Sequence, residues 1–224
     1  MKTLMLTFAA LLLMNLSGAD CRQLMVEAAD AAKKKDHELA LRKYAEAYQA
    51  ARETADKYQN VLARARYLSS LKKLDVLKKL LEGELRKPEY SPVQKQQMLV
   101  RLAAPFLWSG REYQYALDNL NLAMSIDGAA ESSVLHYEIC YYASVIYFHQ
   151  KREYAPVITL LGPLTRRSKY SIHLHVIHSM LGSAYAKLGR KQDAVRHYRQ
   201  AIGHAQKLKK NTSKLEKIVE DLSK

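Results

Sequence analysis

The chain of 224 residues holds two cysteines, five prolines, eight glycines and one tryptophan. So few glycines and prolines leave little room for the many tight turns of a β-sandwich or barrel. Two cysteines, Cys21 and Cys140, cannot build a disulfide framework. An oxidising compartment would permit one bridge between them, but two free thiols are the expectation. There is no Gly-rich phosphate loop, no G-x-S-x-G elbow, no H-E-x-x-H and no C-x-x-C. The common motif-borne routes to phosphoryl transfer, hydrolysis and redox chemistry therefore lack their parts. No enzymatic activity, no cofactor and no metal site is expected. Beyond the first segment, no stretch of about 20 residues is free of charge, so no membrane-spanning helix is expected.

What the chain has in quantity is helix formers. Ala, Leu, Lys, Glu and Arg make up close to half of it, and 48% hydrophobic with 26% charged content excludes a wholly disordered chain. The composition predicts an all-α protein with one continuous folded body. At the amino end, Met1 and Lys2 precede an apolar stretch from Leu4 to Leu16, closed by the small residues Ser17, Gly18 and Ala19. This order reads as a secretory signal peptide over residues 1–19. The protein is then exported, periplasmic or secreted, and begins at Asp20. Cys21 invites a lipoprotein reading, which Asp20 opposes by standing where that signal wants a small residue.

From His175 onward the chain reads Leu181-Gly182, Tyr185, Gly189, Ala194, Tyr198 and Ala201. Small Gly182, Ala194 and Ala201 allow two helices to approach closely, Leu181, Tyr185 and Tyr198 fill the surrounding space, and Gly189 supplies the turn. Sliding this template back in steps of about 38–39 residues finds Ala143, Ile146, Ala155 and Gly162, then Ala104, Leu107, Ala116, Leu120 and Ala123. Two further steps reach Ala28, Ala31, Ala40, Tyr44 and Ala47, across a stretch that keeps only the helical pattern Leu68, Leu71, Leu74, Leu77 and Leu81. The pattern resembles the tetratricopeptide repeat (TPR) family, without the proline at its usual closing position.

The resemblance implies a right-handed α-solenoid of about five helical hairpins over residues 20–210, with units near 21–56, 58–95, 97–134, 136–173 and 175–210. A capping helix over 211–224 closes it. Asn211 is the expected cap of that helix, and Asn211-Thr212-Ser213 is also a glycosylation sequon. Ser91-Pro92 reads as the N-cap and first position of a helix, Asp127-Gly128 as a turn, and Pro105 as a kink inside a helix.

The formal charge of +14 is concentrated after residue 150. Arg166, Arg167, Lys169, Arg190, Lys191, Arg196 and Arg199, with Lys207, Lys209 and Lys210, predict a basic surface suited to an acidic protein, an anionic envelope polymer or an anionic lipid surface. Nucleic acid ranks behind these. Alternatively these are solvated helix faces. Residues 97–150 instead hold aromatics and few basic residues. The TPR resemblance implies a concave groove whose facing positions fall on Met98, Arg101, Trp108, Tyr137, Cys140, Tyr147, Phe148 and Lys187. There an extended or helical peptide would find aromatic anchors and a cation for its carboxylate. Core packing remains the other reading of Tyr137 and Phe148. His175 and His178 share a helical face that His197 could approach, without a further ligand in sequence to complete a metal site. Glu82 and Glu84 read as surface charge. The expected function is a non-enzymatic scaffold or adaptor of the cell envelope that binds a partner peptide. The alternative is a basic tether to an anionic polymer, membrane surface or nucleic acid.

Overall fold

A computed structural model describes residues 20–107, 112–126, 133–166 and 173–224. The expected leader, residues 1–19, lies outside the described residues, as does Asp127-Gly128. The elements among the described residues are all helical. They are α1 (residues 20–33), α2 (His37–Ala50), α3 (Thr54–Ser70), α4 (Leu74–Leu85), α5 (Pro92–Ala103) and α6 (Tyr113–Ser125). Then follow α7 (Ser133–Ile146), α8 (Ala155–Leu161), α9 (Leu174–Lys187), α10 (Lys191–Lys207) and α11 (Ser213–Ser223). No described helix is long and apolar enough to cross a membrane. The chain divides into two compact units, Met1–Leu102 and Ala103–Lys224.

One burial pattern runs through both units. Along the even-numbered helices the buried residues include a triplet at i, i+4 and i+7: Ala40, Tyr44 and Ala47 in α2, and Leu77, Leu81 and Glu84 in α4. In α6 they are Ala116, Leu120 and Ala123, in α8 and the 3-10 turn that continues it Val157, Leu161 and Leu164, and in α10 Ala194, Tyr198 and Ala201. Such a triplet is one stripe of a helix, the side that meets its neighbours. For α8 this corrects the sequence template, which had put Ala155 and Gly162 at the helix contact. Ala155 is exposed, and the contact lies two residues further on.

The difference of two residues has two sources: Tyr185 answers to Tyr147, 38 residues back where the template stepped 39, and the turn adds one more. After α1, α3, α9 and α10, a left-handed residue (Lys35, Lys72, Gly189, Lys209) is followed by an amide that donates five residues back: Asp36 to Ala31, Lys73 to Leu68, Arg190 to Tyr185 and Lys210 to Ala205. This closure satisfies carbonyls that a helix end leaves open. After α7 the left-handed residue is Arg152, but Glu153 reaches back six residues, to Tyr147. The extra residue is held in a π-helical turn, Tyr147–Lys151. Tyr147 and Tyr185 are thus equivalent, and each ring carries a cation from its turn, Lys151 at 5.4 Å and Arg190 at 4.6 Å.

Helix starts follow their local chemistry. Ser91 and Gln94 bond reciprocally at the head of α5, Ser91 N–H to Gln94 Oε1 at 2.8 Å and Gln94 N–H to Ser91 Oγ at 3.3 Å. Asp36 caps α2 by accepting from Leu39 N–H at 3.0 Å. Asn211 sits one position outside the cap it was expected to form: its Oδ1 accepts from Ser213 N–H at 2.9 Å, while Thr212 precedes the first helical residue. Pro105 does not kink a continuing helix. The α-helix ends at Ala103, and Pro105 lies in a 3-10 turn, Ala104–Phe106.

In the first unit the triplet of α4 contains a carboxylate, and Glu84 is buried, not the surface charge its sequence suggests. Tyr90 and Tyr48 donate to Glu84 Oε2 at 2.6 and 3.0 Å, and Lys87 Nζ stands 2.8 Å from Oε1 and also bonds the Tyr48 hydroxyl. Burial, then the bond to Glu84, pushes the Tyr90 hydroxyl well above its usual range. Glu84→Ala strands two tyrosine hydroxyls and an ammonium. The expected loss is about 2–4 kcal/mol in denaturant melts.

In the second unit α9 and α10 pack most closely where a Cβ on Gly182 would stand 3.0 Å from three ring carbons of Tyr198. The Tyr198 hydroxyl lies 2.9 Å from Ser183 Oγ, which ties the ring to the helix that carries Gly182. Gly182→Val is expected to cost about 1–3 kcal/mol. Gly203→Ala, where nothing lies within 4 Å, is expected to gain up to about 1 kcal/mol from helix propensity, and paired thermal melts test both.

Candidate functional site

The second unit carries a groove between α7 with its π turn, α9 and α11. Its volume is about 430 Å³. Tyr141 and Phe148 lie seven residues apart and line one side, Val176 and Met180 of α9 form the floor, and Leu215 of α11 closes it. Lys210 and Lys214 stand at the rim, and Lys210 Nζ is 2.7 Å from His175 Nε2. Phe148 is held edge-on by Tyr154 at 5.2 Å between ring centroids. An aromatic wall fixed by its neighbours presents contact area at little entropic cost, and the lysines supply attraction for a carboxylate.

The residues expected at a groove divide. Phe148 lines this one. Met98, Tyr137 and Cys140 do not face a groove but are buried. Tyr137 stacks on Tyr141 at 5.6 Å and on His173 at 4.0 Å, and burial pushes its hydroxyl well up. Tyr147 lines a separate cleft of about 430 Å³ with Met124 of α6 and Pro156 and Leu160 of α8. Arg101 is half-buried in the first unit, where its charge opposes the burial that raises the Tyr58 hydroxyl. Lys187 is exposed in the last turn of α9, and Trp108 lies outside the described residues. Sequence reasoning missed Tyr141, Met180, Lys214 and Leu215. The i, i+4 spacing of Val176 and Met180, and of Lys210 and Lys214, was the available signal.

The basic residues also separate. Arg167 and Lys169 lie outside the described residues. Arg190 and Arg196 both clamp Asp193, at 2.6 Å each. Lys191, Arg196, Arg199 and Lys224 line a cleft of about 750 Å³ between α10 and α11. Arg166 lines another, of about 890 Å³, with Arg196, His178, His197 and His204. In it His178 Nδ1 lies 3.0 Å from His197 Nδ1. Burial, reinforced by His197 and His204, pulls His178 down to about 4, and burial with Arg196 holds His197 below its ordinary range. His175, expected beside His178, turns instead toward Lys210. Among the described residues no group of three His, Cys, Asp or Glu is placed to hold a metal ion. Cys21 and Cys140 are buried and form no disulfide. Cys21 packs on Ala47 and Ala51, and burial raises its thiol.

No protein-family model matches the chain, and comparison with curated proteins finds no match.

The depressed His178 gives a pH dependence with a definite sign. The unfolded imidazole binds a proton near pH 6.5 and the folded one only near 4, so the unfolded state holds more protons between these values. Stability is then full above about pH 6.5 and falls as pH drops toward 4. Urea midpoints measured across this window should show that slope, and His178→Phe should flatten it.

Proposed function

We propose that this chain is a non-enzymatic adaptor, a TPR-like α-solenoid that holds an acidic peptide segment of a partner protein in the groove of α7, α9 and α11. The observation that carries this reading is the groove itself. It has an aromatic and aliphatic floor, Lys210 and Lys214 at its edge, and no carboxylate among the described residues that line it. A peptide with apolar side chains three or four residues apart would fill the floor while its Asp or Glu side chains meet the lysines. The five buried triplets of the even-numbered helices support the repeat architecture. The leader-like residues 1–19 support export, and with it a role in the cell envelope.

A second reading, a basic tether to an anionic polymer or membrane surface, is favoured by the α10–α11 cleft with its Lys191, Arg196, Arg199 and Lys224. The two differ in their response to salt, because a tether made by exposed charges is screened and an apolar floor is not.

A peptide-display selection on the purified protein tests the groove. The wild-type chain should enrich acidic peptides with spaced apolar residues. Phe148→Ala should weaken the best of them about tenfold or more, and Lys210→Glu with Lys214→Glu should shift the selection to basic peptides, all with unchanged circular dichroism. Equal binding by Phe148→Ala would sink the reading, and complete loss at high salt would move it to the tether.

A further inference from the structure

The histidine-lined cleft is not used by the peptide groove and is chemically unlike it. It opens between the 3-10 turn Gly162–Arg166, α9 and α10. Each surrounding element can be read for charge. The turn supplies Arg166, α9 supplies His178 and Tyr185, and α10 supplies Asp193, Arg196, His197 and His204, while α8 carries no ionisable side chain. Among the described lining residues none is a carboxylate. Asp193, the one acid acting on His197, is itself held by Arg190 and Arg196. The Tyr185 ring is stacked with His197 at 5.2 Å and carries the Arg190 guanidinium at 4.6 Å.

We infer that this cleft binds a tetrahedral oxyanion group, the sulfate or phosphate ester of a larger molecule. Arg166 supplies permanent charge, Arg196 adds a guanidinium whose charge it shares with Asp193, and the imidazoles of His178, His197 and His204 supply hydrogen bonds that strengthen on protonation. The geometry of the ring pair is the reason. With Nδ1 facing Nδ1 at 3.0 Å, one ring donates and the other accepts, so a single shared proton satisfies both. A second proton on that line sets donor against donor and cation against cation. His204 lies parallel to His178 at 5.6 Å and brings a third ring to the same place. An anion seated among them relieves that repulsion, so binding and proton uptake favour one another. The depressed titration of His178 is the free-state side of the same balance.

The cleft, at about 890 Å³, is far larger than a bare tetrahedral ion. Pro163, Leu174 and Leu181 give it an apolar wall, which suits the carbon frame of an ester. The site stands apart from the peptide groove in both residues and ligand, so either assignment can fail alone.

Inorganic sulfate is the probe of choice, because its two charges are constant between about pH 5 and 8 and any pH dependence then belongs to the protein. Calorimetry on the full chain should show affinity about tenfold higher at pH 5.5 than at 7.5. Repeating it in two buffers should reveal net proton uptake. Imidazole resonances of His178, His197 and His204 should shift on titration. Arg166→Gln, at an exposed position, should weaken binding at both pH values, and His197→Gln should remove most of the pH dependence. A sulfated monosaccharide should bind more tightly than sulfate, and equal affinity would overturn the ester in favour of the free ion. Binding that is independent of pH, or indifferent to Arg166→Gln, would overturn the site.

Discussion

The constraint on which the rest depends is the buried stripe at i, i+4 and i+7 of each even-numbered helix. A stripe of alanines lets a neighbouring backbone come close, and a stripe with tyrosine or leucine needs a small partner to receive it. Tyr198 meets Gly182 on those terms. Glu84 breaks the apolar rule, and the first unit answers by surrounding it with Tyr48, Tyr90 and Lys87, so that a buried charge finds donors on every side. What varies among the stripes is the company each keeps; their spacing along the helix does not vary.

The second unit then uses its helices twice. One side of α9 contributes Val176 and Met180 to an apolar groove, and another side contributes His178 and Leu181 to a cleft of nitrogen bases and guanidinium groups. A helix has room for this because positions 100° apart face different neighbours. The formal charge of +14 counts the histidines as neutral. Burial holds the His178 imidazole in its neutral form, so at neutral pH the fixed charge of this cleft is carried by its guanidinium groups.

Much of the fold was legible in the sequence, and for a physical reason. Periodic apolar residues, Ser91-Pro92 and Gly189 speak of local structure, and local structure is what a single chain encodes most directly. Helical content was therefore visible, as were the small residues of α2, α6 and α10. The position of α8 was not. Sliding a fixed period of 39 misses by one residue between Tyr147 and Tyr185, which are 38 apart, and by one more across Tyr147–Lys151, where six residues and not five separate the closing carbonyl and amide. The groove was harder still. Tyr137, Cys140 and Phe148 all belong to or pack against one apolar cluster, and whether a side chain sits inside it or at its edge is decided by tertiary packing and not by residue type. Glu84 looked like a surface residue because nothing in the sequence near it announces Tyr48, 36 residues away.

The wide turn at Tyr147–Lys151 works as an expansion joint. A residue added to a helix rotates everything beyond it by about 100° and would carry the stripe of α8 off its contact. Stored as one looser loop of backbone, the same residue is absorbed within five positions, and the helix that follows leaves Arg152 with its orientation restored. The spacing of residues can therefore differ at this turn while the buried i, i+4, i+7 spacing beyond it stays the same.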